Sequence, residues 1–203
     1  MALHLVLEPD LRFPAASNLA LVTDAPFAIR TFGDPVLKQP TSEVGTIDGA
    51  LVRLVEDMIR TMYDANGVGL AAPQVGVQKR LFVYDTGEGP QVVINPVLDQ
   101  FRGEWIYHEG CLSVPQLWWE IERAKEVRLR GIDLEGDELD IEADELLARV
   151  FQHEVDHLDG ILLLERVTPE ERKEAMRVLR QRALGLPVDL PERPERPEPA
   201  GAS

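Results

Sequence analysis

His153-Glu154-Val155-Asp156-His157 sits inside a run, Asp144 to Asp159, whose apolar positions go most of the way round a helix. Leu146, Leu147, Val150, Phe151, Val155 and Leu158 cover so much of the circumference that this helix has to be largely buried. Gly160 follows as a stop. A chain that buries such a helix must pack layers against several of its sides. It must also find partners for two imidazoles in the interior, where unpaired polar rings are costly. Residues four apart share one helical face, so the two rings can ligate a single metal ion. Glu154, next to the first of them, can then reach a water at that ion. Only four histidines occur in the chain, and two of them fall here.

Two more helices and a block of strands are available as layers. Gly49 to Asn66 places Leu51, Leu54, Val55, Met58, Ile59 and Met62 in an amphipathic stripe, and Asn66-Gly67 supplies a left-handed stop. Pro169 to Leu184 is predicted as the third helix. Thr168 is its N-cap, Pro169 is at its first position, Glu171 completes a capping box and Gly185 ends it. Between the first two helices lie short runs rich in Val, Ile and aromatics: Arg80 to Tyr84, Gln91 to Leu98, Glu104 to His108, Glu126 to Ile132 and Glu138 to Ile141. Short turns between neighbouring strands predict antiparallel pairing. The expected class is α+β, with small antiparallel β-sheets packed around a buried central helix that carries the histidines, plus an N-terminal and a C-terminal helix.

The ends read differently. Residues 1–25 are expected to be an N-terminal extension, broken by Pro9 and Pro14. Residues 186–203 carry five prolines in 18 residues and few apolar side chains, so a Pro-rich, acidic, disordered tail is expected. The formal net charge of −15 argues against bulk binding to DNA or to an anionic membrane. No run approaches the roughly 18 apolar residues of a membrane span. Met1 to Ile29 has neither the basic start of a secretory signal nor the Arg-rich, acid-poor bias of a transit peptide, and a cytoplasmic location is expected. A single cysteine, Cys111, cannot form an intrachain disulfide.

That cysteine stands in Glu109-Gly110-Cys111-Leu112-Ser113. A hydrolytic metal centre needs three protein ligands and one open position, and Cys111 is a candidate for the third ligand. The competing reading is an inert buried thiol, the commonest fate of a free cysteine. Polar neighbours and Gly110, which permits close backbone approach, favour the ligand. A third segment, Gly67-Val68-Gly69-Leu70-Ala71-Ala72-Pro73-Gln74, is not a phosphate loop, since no Gly-Lys-Ser/Thr follows. Its small residues suggest a segment pressed against something, with the Gln74 amide free to donate to a carbonyl.

Together the three segments, in this order, resemble the peptide deformylases, whose signature is G-x-G-x-A-A-x-Q, then E-G-C-L-S, then Q-H-E-x-D-H. Gly67 to Gln74, Glu109 to Ser113 and Gln152 to His157 match it. Ile29 to Leu37 looks like the family's N-terminal strand and turn, so residues 26–185 are expected to form the catalytic domain. The resemblance implies that Cys111, His153 and His157 hold one divalent metal ion. Fe(II) is expected natively, with Zn, Ni and Co also able to occupy the site. It implies Glu154 as catalytic acid/base, and Gln74 with the backbone N–H of Leu112 as the oxyanion hole. Backbone at Val68, Gly69 and Gly110 would pair with an extended peptide. Tyr107, Glu109, Arg149 and Val150 would line the methionine pocket, Arg149 with its stem packed and its head turned outward. Arg123 would pair with Glu109 or Asp156. Trp118 stands where the family often has arginine, which leaves the outer subsites open. The implied substrates are N-formylmethionyl nascent peptides, and formate is a product. Ribosome docking through the C-terminal helix is a further expectation, carried by Arg177, Arg180 and Arg182.

A zinc-dependent peptidase shares the helix motif but takes its third ligand from a carboxylate or histidine further along, and no histidine follows His157. A non-catalytic peptide binder would not need Gln74, Cys111, Glu154 and both histidines intact. A structural metal domain closes its fourth position, and no fourth ligand is visible.

Overall fold

The computed structural model describes residues 25–188. The expected N-terminal extension, apart from Ala25, and the expected tail beyond Val188 lie outside the described residues.

Helix α1 spans Gly49–Asp64; the side chain of Asp48 caps it, accepting from the N–H groups of Ala50 and Leu51 at 3.0 and 2.9 Å. Seven strands follow: β1 Gly69–Ala71, β2 Leu81–Tyr84, β3 Gln91–Arg102, β4 Trp105–Cys111, β5 Val114–Arg123, β6 Glu126–Ile132 and β7 Glu138–Asp144. Helices α2, Glu145–Leu158, and α3, Pro169–Ala183, complete the order. These strands pair antiparallel, in a five-stranded sheet β1-β2-β3-β6-β7 and a separate hairpin β4-β5. The α+β class and its antiparallel sheets are as the sequence predicts. Among the described residues, no helix is long and apolar enough to cross a membrane.

The five-stranded sheet has a helix on each face. Residues alternate between faces along a strand. In β2, Phe82 and Tyr84 therefore pack toward α2, while Leu81 and Val83 pack toward α1. On the α2 side, Val68, Ala71, Val93, Val127 and Leu129 meet Ala148, Val150, Phe151 and Leu158. The Phe151 ring stands edge-on to Tyr84, with centroids 5.1 Å apart. On the other side Leu51, Val55, Met58 and Met62 of α1 cover Leu70, Leu81, Val83 and Ile94. The hairpin closes α2 from a further side, through Cys111, Val114, Leu117 and Ile121 packed with Leu163, Leu164 and the buried residues Ala175 and Val178 of α3. Consequently α2 is buried continuously from Ala148 to Leu158, with only Val155 half-exposed.

Three local expectations need correction. Strand β5 has no counterpart in the sequence reading, because Pro115, Gln116 in a left-handed conformation (φ 62°) and the charged residues Glu120, Glu122 and Arg123 obscure its alternation. Ile29 to Phe32 forms no strand; its backbone makes single bonds instead, Arg30 N–H to Gln74 O at 2.7 Å and Phe32 N–H to Ser113 O at 2.8 Å. Pro35–Lys38, after the capping Asp34, is a 3-10 turn. Strands β3 and β4 also run further than expected, and β4 carries its extended backbone up to Cys111 itself.

Candidate active site

Cys111 ends β4, and His153 and His157 lie one turn apart on α2, so the hairpin's packing on α2 brings a strand terminus against a helix face. The Cys111 Sγ is 3.2 Å from His157 Nε2. One ligand atom from each of Cys111, His153 and His157 falls within 4.8 Å of the others, and all three residues are buried. Burial opposes ionisation of the thiol, but the adjacent His157 charge and hydrogen bonds from both imidazoles outweigh it and bring Cys111 down to about 5. Opposite Gly110 in the hairpin lies Trp118. A Cβ at position 110 would come within 2.5 Å of that indole, so only glycine lets the strand pass at this distance.

Glu109 orients the first imidazole. Its Oε1 accepts from His153 Nδ1 at 2.6 Å and from Arg123 Nη2 at 2.7 Å. Its Oε2 accepts from Arg123 Nε and Arg149 Nη1, both at 2.8 Å. Bonding at Nδ1 leaves Nε2 of His153 available to a metal ion, the usual arrangement for a metal-bound histidine. Burial works against the Glu109 charge, yet the Arg123 guanidinium and His153 hold this carboxyl well below the ordinary range. Arg123 also donates to Asp156 at 2.9 Å, and Asp156 accepts from Arg166. The expected choice for Arg123 between Glu109 and Asp156 therefore resolves as both.

Glu154 is buried, and its Oε2 has no hydrogen-bond partner among the described residues. Burial pushes this carboxyl up to about 7. Gly69 in β1 is what presses against it: a Cβ there would lie 2.3 Å from Glu154 Oε1. Gly69→Ala is thus expected to displace the Glu154 carboxylate and lower kcat by about 10²-fold, the scale of an ångström-sized misplacement. Steady-state kinetics alongside metal content checks this, and a wild-type kcat would show that Glu154 has room to spare.

The Gln74 amide is oriented by its oxygen, which accepts from Ala71 N–H at 2.8 Å. Its Nε2 lies 3.2 Å from Ser113 Oγ and 3.9 Å from Cys111 Sγ, so the donor end faces the cluster. Leu112 sits in the turn between β4 and β5, half-buried, its side chain toward Gly67 and α1. Val68 is buried, and its carbonyl accepts from Asp85 N–H at 3.0 Å. β1 is an edge strand, and β4 pairs only with β5. Tyr107 is half-buried in β4, and Val150 is buried in the core under α2. Arg149 departs from expectation. Its head does not turn outward: the residue is 1% exposed and its guanidinium points into the Glu109 cluster. Two contributors went unread in the sequence. Ser113 holds the Gln74 amide, and the Arg30 and Phe32 N–H groups clip the Gln74 and Ser113 carbonyls to one segment. Ser113 lies in a recognised motif; the backbone clip has no residue-type signal at all.

A thiolate and two imidazoles make a donor set suited to a divalent transition metal, and the unpartnered Glu154 oxygen beside them is placed for a water at such an ion. Three candidate ligands on a buried helix and a strand end, with a carboxylate next to them, are the arrangement of an α+β metallohydrolase. The polypeptide deformylase family model matches residues 26–173. The chain is 51% identical over 140 residues to a peptide deformylase from Clostridium botulinum, covering 69% of this chain and 95% of that protein. It is 48% identical over 153 residues to one from Acidothermus cellulolyticus, covering 75% and 85%. Among solved structures, a peptide deformylase from Legionella pneumophila superposes with a TM-score of 0.74 at 38% identity, over 78% of this chain and 95% of that one. One from Synechococcus elongatus in complex with actinonin gives 0.73 at 39% identity, over 87% and 93%. The chain belongs to the polypeptide deformylase family.

Proposed function

We propose that this protein removes the formyl group from N-formylmethionyl nascent peptides, releasing formate, with Cys111, His153 and His157 as metal ligands. The observation that carries the reading is the convergence of Cys111, from a strand 42 residues upstream, on the His153–His157 pair. The family match supports it. A divalent ion at these ligands supplies Lewis acidity toward the formyl oxygen and acidifies water.

The chain's own groups do the rest. Glu154 takes the water proton and hands it to the leaving amine, a transfer helped by a carboxyl that titrates near neutrality. Gln74 Nε2 and the Leu112 N–H stabilise charge on the formyl oxygen as the carbon becomes tetrahedral. Backbone at Gly69 and Gly110, on the open edges of β1 and β4, and at Val68 just before β1, receives the peptide as an added strand. Tyr107, Glu109 and Val150 bound the methionine pocket, and Arg149, turned into the Glu109 cluster, stands behind that wall. Fe(II) is the proposed native ion, the proposed location is cytoplasmic, and docking at the ribosome through α3 remains part of the reading. Within α3, Arg177 already bonds Glu174, and Arg182 bonds Pro115 O and Gln116. A peptidase reading shares the helix motif, but the third donor beside the two histidines is Cys111 from upstream and not a downstream carboxylate or histidine.

The deciding assay is formate release from a formyl-Met tripeptide by anaerobically purified protein with its metal content measured. Cleavage of an internal amide without formate would replace this reading with the peptidase.

A further inference from the structure

Arg149 heads the fully buried side chains by size, and it is a cation. Burying a guanidinium carries a large desolvation cost, so its partners have to account for it. Charge balance alone does not. Glu109 is already met by Arg123 through two bonds, at 2.7 and 2.8 Å, and Arg123 is itself buried. The second cation adds one bond to Glu109, at 2.8 Å, and completes four donors on one carboxylate.

Its other polar and ring contacts go along β4, while its buried Nε has no hydrogen-bond partner among the described residues. Nη2 donates to Trp105 O at 2.5 Å. The guanidinium carbon lies 4.8 Å over the Trp105 ring and 5.9 Å from the centre of the Tyr107 ring. Those rings stack on each other, with centroids 4.7 Å apart and planes 16° from parallel. Trp105, Tyr107 and Glu109 are alternate residues of one strand and share a face. Arg149 lies one helical turn before His153 on α2. One side chain therefore ties three successive same-face residues of β4 to the turn that precedes the first histidine.

We propose that Arg149 is a positioning residue, a brace that holds the Trp105–Tyr107 pair as a rigid wall for the substrate's first side chain. The proposal rests on the deformylase reading for the identity of that side chain. It assigns Arg149 to substrate fit and not to the metal, because Glu109 keeps two bonds from Arg123 and the His153 bond when the Arg149 bond is removed. A planar guanidinium is required: it bonds a carboxylate and a carbonyl while lying over a ring, which a lysine ammonium does not do at once.

Arg149→Met and Arg149→Lys test this on the metal-loaded enzyme, with formyl-Met-Ala-Ser as substrate. Both variants are expected to raise KM about tenfold, keep kcat within about threefold and keep wild-type metal content, the pattern of lost binding rather than lost chemistry. Backbone amides of Trp105 to Glu109 are expected to exchange with solvent at least about tenfold faster, while those of α2 stay protected. A wild-type KM in Arg149→Lys would mean that charge suffices and would overturn the brace. So would a joint fall of kcat and metal content at constant KM, which would place Arg149 behind His153. If Arg149→Met does not fold, the lysine variant carries the test. If the wild-type protein releases no formate, the functional reading fails, while amide exchange still decides whether Arg149 braces β4.

Discussion

Glu154→Gln is expected to bind metal like the wild type and to lose turnover by about 10²–10⁴-fold, the usual share of a positioned acid/base. The substitution conserves volume, so the fit under Gly69, where a Cβ would come 2.3 Å from the carboxylate, is preserved. What it removes is proton transfer by a group that burial has lifted to about 7. The ligands are untouched, because neither Cys111 nor either histidine takes a hydrogen bond from Glu154 in this structure. Metal analysis and single-turnover formate release on the same preparation separate the two effects. Near-normal kcat with metal bound would remove Glu154 from the mechanism.

Loss of the thiolate should be equally severe. Cys111→Ala is expected to abolish stable metal binding and bring formate release below detection, since it leaves two neutral ligands and deletes the anionic one. Peroxide should reach the same end point chemically, with loss of metal and added oxygen mass at Cys111, because an ionised thiol climbs the sulfenic–sulfinic ladder. The protein has only this cysteine, so the assignment by mass is unambiguous. Inactivation with Cys111 unmodified would argue against thiolate ligation.

These expectations depend on parts of the molecule that were unequally legible. The three helices could be read to within a residue or two, because capping and amphipathic spacing are local. Asp48 bonds the first turn of α1, and Thr168 with Glu171 closes the box on α3. Strands were less legible where pairing overrides propensity. β5 exists because β4 lies beside it, from Trp105 opposite Arg123 to Gly110 opposite Trp118, and nothing in Pro115-Gln116 announces a strand.

The donor residues and their helical spacing belong to the sequence alone. So does the burial of α2, since a helix apolar on nearly every side has no stable place at a surface. The tertiary structure decided where the charges go. It put Arg149 inside, on Glu109 and Trp105, against the expectation of a head turned to water. It also identified what each glycine makes room for: Glu154 over Gly69 and the Trp118 ring over Gly110. The physical reason is range. Spacing along a helix is set by neighbours within a turn, whereas the environment of a buried charge is set by groups about 40 residues away that only packing brings into reach.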